Sequence, residues 1–97
     1  MAYKILPYSI EQARKLNVVI KPSTNPSKKI DVFKNGKKVA SIGAMGMNDY
    51  PTYMRLEQYG AVEKGYAKKR RELYKKRHEK DRKVIGSAGY YADKILW

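Results

Sequence analysis

Lys29-Ile30-Asp31-Val32-Phe33-Lys34-Asn35-Gly36-Lys37-Lys38-Val39-Ala40-Ser41-Ile42 sets two strand-like runs on either side of an Asn-Gly pair. Both central residues of a type I′ turn need positive φ, which Gly adopts freely and Asn tolerates, so the stretch predicts a two-residue β-hairpin. Such a turn pairs Val32 with Val39 and Phe33 with Lys38. Side chains alternate across a strand, so this register puts Ile30, Val32 and Val39 on one face and Phe33, Ala40 and Ile42 on the other. Two apolar faces imply cover on both sides. A lone hairpin is marginal in water, and the β-branched run Val18-Val19-Ile20 is the candidate third strand.

Upstream, Ser9 and Gln12 fit a capping box, with Ile10, Ala13 and Leu16 on one helical face and Asn17 as a left-handed stop. Residues 22–27 hold two prolines, two serines and an asparagine and predict a loop. Downstream, residues 43–46 form a glycine-bearing joint. Asp49 or Tyr50 then caps a helix with Pro51 in its first turn, where the missing N–H is no loss, and that helix ends near Tyr59.

Residues 66–83 contain good helix formers and neither Gly nor Pro, which predicts one long helix. Tyr66 with Leu73, and Ala67 with Tyr74, supply its narrow apolar stripe. Eleven of the twenty residues from Lys64 to Lys83 are Lys or Arg, against three acids, Glu72, Glu79 and Asp81. A solvated helix more often mixes charge signs at i,i+4 spacing. Gly86 to Gly89 interrupts, and residues 90–97 read as an aromatic C-terminal tail.

The whole chain repeats this imbalance. Its 97 residues carry 22 Lys and Arg against nine Asp and Glu, a formal charge of +13. Self-repulsion on that scale favours an anionic partner: nucleic acid, DNA or RNA, an anionic membrane surface, or an acidic protein. With no cysteine, neither a disulfide framework nor a thiolate metal site is available. No apolar run of about 18 residues predicts a transmembrane helix, and the first ten residues do not read as a secretory signal.

Lys68, Arg70, Arg71, Lys75, Lys76 and Arg77 are the candidate nucleic-acid-binding residues, the arginines suited to bidentate phosphate or guanine contacts. Seven tyrosines interleave with the basic residues of the second half of the chain. Aromatics beside cations can stack on unpaired bases, but with one Phe and one Trp in the chain they also have a core to fill. Ile95, Leu96 and Trp97 close the chain on apolar residues, which either dock on the domain itself or serve as partner-docking residues. His78 and Asp81 invite a catalytic or metal-binding reading, but one histidine and scattered acids make no convergent ligand set. No cofactor, metal or small-molecule substrate is implied, and no glycine-rich phosphate loop occurs.

Residues 29–43 with the following Asp49-Tyr50-Pro51-Thr52-Tyr53, and residues 77–83 with Gly86-Ser87-Ala88-Gly89-Tyr90-Tyr91-Ala92-Asp93-Lys94-Ile95-Leu96-Trp97, resemble a group of short basic proteins of unknown function encoded by large nucleocytoplasmic DNA viruses. The resemblance implies a viral context, in which such a protein acts on nucleic acid or cements a virion. It brings no catalytic or binding residues with it. The expectation is a single small basic domain over 1–97, with a helix-plus-hairpin region (1–44), a helical region (49–83) and the aromatic tail (90–97). Its class is α+β: a short N-terminal helix, a small antiparallel sheet with the Asn-Gly hairpin, then two or three helices including a long basic one. The expected function is non-catalytic nucleic-acid binding through phosphate contacts in the host cell cytoplasm or nucleus. The alternative is a minor capsid or virion structural protein whose partners are viral capsid proteins.

Overall fold

In the computed structural model, which describes residues 3–97, Asn35 and Gly36 have φ of 54° and 78° and turn the chain between strands β2 (Lys28–Lys34) and β3 (Lys37–Ala44). Strand β1 (Val19–Pro22) pairs with the other edge of β2, so the antiparallel sheet runs β1-β2-β3. Four α-helices accompany it among the described residues: α1 (Pro7–Lys15), α2 (Tyr50–Gln58), α3 (Tyr66–Arg77) and α4 (Ala88–Leu96). The class is α+β.

The sheet register differs from the one the turn implies. Next to the turn, Lys34 faces Lys37 and Phe33 faces Lys38, but Val32 faces Ala40, because a β-bulge inserts Val39 as an extra residue. One extra residue reverses the alternation, so Ala40 and Ile42 join Ile30 and Val32 on the core side. Ile30, Val32 and Ile42 are essentially unexposed, whereas Val39 is 40% exposed. The expectation of two covered apolar faces falls with that register. The second face carries Lys29 and Asp31, both buried by polar partners.

The core is small. Ala13 of α1, Val18, the three sheet residues and Tyr91, Ile95 and Leu96 of α4 form one cluster. Each large aliphatic in it is worth roughly 1.5–3 kcal/mol of burial. The tail expected at 90–97 is therefore a packed helix. Ser87 caps it by accepting from the Tyr90 N–H at 3.2 Å. Gly89 lets its first turn approach the 3₁₀ turn at Asp81–Lys83, since a Cβ there would lie 3.0 Å from the Asp81 carbonyl oxygen. Ile95 and Leu96 lie inside this core, which removes them as partner-docking residues.

The first helix starts earlier than the capping box suggests. Pro7 opens it after Leu6, its fixed φ being suited to that position, and no side chain caps the end. Ser9 is inside the helix and fully buried, and its hydroxyl donates to the Ile95 carbonyl at 2.9 Å. That carbonyl belongs to the last turn of α4, where no intrahelical donor exists, so one hydroxyl ties the two helices together.

Candidate nucleic-acid interface

Helix α3 is shorter than the sequence predicts. It ends at Arg77 with His78 as C-cap, and the chain turns back through the 3₁₀ turn. Arg82, expected to continue the helix, instead donates from Nε to the Lys75 carbonyl at 3.2 Å. A cation on the last carbonyls suits the helix end and satisfies an acceptor left over there. Arg82 also reaches Glu79 at 2.8 Å, and Lys83 bridges to the same carboxylate. The hydrogen bond from Lys83, and after it that from Arg82, holds the Glu79 carboxyl below its ordinary value.

Ala67 and Tyr74 form the buried stripe of α3, while Leu73 is 47% exposed and does not contribute to it. Around that stripe the six candidate residues divide. Lys68, Lys76 and Arg77 are exposed and have no carboxylate partner among the described residues. Arg70, Arg71 and Lys75 are half-buried and turned back onto the domain. Lys75 reaches the buried Asp93 of α4 at 2.7 Å. Arg71 lies over the Tyr50 ring, 4.7 Å from its centroid, and Arg70 over Tyr53 at 5.8 Å. The six therefore do not make one surface. Lys69, absent from that set, lies seven residues before Lys76 on the same outward side and is equally exposed. Helical spacing was the signal that could have found it.

Most acids elsewhere are already engaged within the fold. Asp49 caps α2 by accepting from the Thr52 N–H at 3.0 Å, and it holds Lys29 at 2.8 Å and the Tyr3 hydroxyl at 2.8 Å. Lys29 also donates to the Met47 carbonyl. Burial and the adjacent Asp49 carboxylate push the Tyr3 phenol well above its ordinary value. Burial tends to raise the Asp31 carboxyl. Hydrogen bonds from the Ser23 and Ser41 hydroxyls and the Thr24 N–H, with the Lys38 charge, outweigh it and hold the group at about 2. Glu57 accepts the Ala67 N–H at 2.6 Å, which fixes the start of α3 against α2.

Beside α3 the aromatic residues gather. Trp97 stacks on Tyr74 with centroids 4.3 Å apart and planes 5° from parallel, and His78 covers the next ring in the stack at 4.3 Å. Tyr53 stands 6.3 Å from Trp97, tilted by 52°. These rings and Arg70 and Arg77 border a cleft of about 260 Å³ that reaches the β3–α2 connection. The tyrosines thus do the packing work of a domain short of Phe, although Tyr59 is 71% exposed. His78 Nδ1 is 3.2 Å from Asp81 Oδ2 at the surface. Among the described residues no group of three His, Cys, Asp or Glu side chains converges to hold a metal ion, and no helix is long and apolar enough to cross a membrane.

No family model matches this chain, and no curated protein or solved structure matches it.

Proposed function

We propose that the protein binds nucleic acid without catalysing a reaction on it, through phosphate contacts made by the outward face of α3. The observation that carries this reading is the exposed set Lys68, Lys69, Lys76 and Arg77 with no carboxylate partner among the described residues. Like charges held this close on one helix repel one another, and a polyanion relieves the repulsion while releasing its own counterions. One acid, Glu72, stands a turn away from Lys68, Lys69 and Lys76 and bridges to none of them, so a single carboxylate is set against four cations where a helix surface that serves only the fold more often balances them. In the viral context that the resemblance implies, DNA is the first ligand to test.

The test is a salt-titrated affinity for duplex DNA, single strands and heparin. Reversing Lys68, Lys69, Lys76 and Arg77 to Glu should flatten the slope of log affinity against log salt on duplex DNA by roughly three to four, about 0.9 per phosphate contact. The control reverses Lys15, Lys21, Lys34 and Lys37, which are exposed elsewhere on the domain. Equal losses from both sets would mean diffuse attraction with no special role for α3. The virion-structural reading draws on Val84 and Ile85, 59% and 84% exposed beside the 3₁₀ turn, as an apolar contact for another protein. It takes over if no salt-sensitive binding is found and the chain co-purifies with particles in fixed stoichiometry.

A further inference from the structure

We infer that the cleft beside α3 takes one unpaired nucleotide, its base packed against Tyr53 and Trp97 and its phosphate held by Arg70 and Arg77. This rests on the nucleic-acid reading and adds to it a site for single strands that the outward face of α3 does not provide.

Four observations converge there. The wall is aromatic, and Tyr53 is tilted 52° from Trp97, so the two rings do not close face to face. Arg70 and Arg77 line it with no carboxylate partner and no Asp or Glu is among its described lining residues, whereas Lys29, also in the lining, is already paired with Asp49. Arg70 Nε is buried with no hydrogen-bond partner, as is Arg71 Nε away from the cleft, so the Arg70 guanidinium keeps donor capacity that the fold does not use. The volume, about 260 Å³, lies just under the roughly 300–1,000 Å³ of pockets for drug-sized ligands and suits one base better than two.

Helix geometry supports the same division of roles. Arg70 and Arg77 are seven residues apart, two turns on one side of α3 and about 10 Å along its axis. Tyr74 lies between them with its ring stacked on Trp97. A base on the aromatic wall is thereby flanked by a cation at each end, the arrangement of a stacking platform in a basic groove. Bases in an intact duplex are stacked on one another and cannot enter, so the cleft discriminates by strandedness.

Trp97, the chain's one tryptophan, lies in the cleft wall and reports on it directly. Its emission is followed while the protein is titrated with a short oligothymidylate, with a blunt DNA duplex and with inorganic phosphate, at fixed ionic strength. The oligothymidylate should quench Trp97, and the duplex and phosphate should not. Tyr53→Leu keeps an apolar side chain and should weaken single-strand affinity about tenfold or more. It should leave both the salt slope and duplex affinity unchanged. Arg70→Ala, outside the outward α3 set, should lower the single-strand slope by about 0.7 and leave the duplex slope unchanged. If Tyr53→Leu melts early, the quench and the two Arg70→Ala slopes decide the matter. Single strands that bind steeply with salt but leave Trp97 emission unchanged would overturn the cleft and leave the α3 surface standing. Quenching by inorganic phosphate would also overturn it, since the base would then have no part in recognition. If neither single strands nor duplex bind, the cleft and the α3 reading fall together.

Discussion

Lys29 lies 2.8 Å from Asp49 with a side chain only 5% exposed, whereas Lys76 on α3 is exposed and bridges to no carboxylate among the described residues. The same residue type serves two ends in one small chain. On the sheet side, Lys29, Asp31 and Asp49 are enclosed and paired or hydrogen-bonded, because a buried charge without partners costs several kcal/mol. On the outward face of α3, Lys68, Lys69 and Lys76 keep their hydration and their charge, which contributes little to folding and remains available to a partner. The comparison teaches that in so basic a protein the number of cations says little about where binding occurs. Their partners say more.

The comparison breaks first at Asp49. Asp49→Ala leaves Lys29 buried without its carboxylate and removes the cap of α2. The expected loss is about 3–5 kcal/mol in denaturant unfolding. A loss under 1 kcal/mol would show that the enclosed pair is not structural.

Asp31 gives the next effect and a pH signature. Its folded-state carboxyl is held at about 2, below the ordinary 3.8. The stability it contributes is therefore fully present above about pH 4 and is lost as pH falls toward 2. Asp31→Asn should cost about 2 kcal/mol at neutral pH, through weakened bonds from Ser23, Ser41 and Thr24. It should also flatten the acid limb of the stability curve between pH 4 and pH 2. An unchanged acid limb would mean that other carboxylates carry it.

The sharpest version compares neighbours on one helix. Lys75→Ala leaves the buried Asp93 only Lys94, 3.8 Å away, and should lower stability by about 1–2 kcal/mol with little change in the salt slope of DNA binding. Lys76→Ala should cost less than about 0.5 kcal/mol of stability but reduce that slope by about one. If the two substitutions exchange these effects, the division between folding and binding cations is wrong.

How much of this was legible beforehand depends on the range of the interaction involved. The demand for positive φ at residues 35 and 36 is local, and so is the Asp49 cap with Pro51 in the next turn. The bulge at Val39 was not legible. It depends on the core preferring Ile42 to Val39, and nothing near the turn expresses that preference. Ser9 misled for a similar reason: its hydroxyl has a partner 86 residues away, at Ile95, and a capping pattern considers only its neighbours. Of the six residues chosen on α3, Lys68, Lys76 and Arg77 face outward. Arg70, Arg71 and Lys75 turn inward to rings and a carboxylate on α2 and α4.

The sequence by itself determined the class of elements, the size and sign of the charge and its concentration after residue 63, because turn sterics, helix propensity and composition need no distant contact. Only the tertiary structure decided where α3 stops, that residues 88–96 form a core helix, and which cations are withdrawn from solvent. Those outcomes depend on pairs such as Arg82 with Lys75, Gly89 with Asp81 and Trp97 with Tyr74. Their energies exist only once distant parts of the chain have been brought together and water has been excluded from between them.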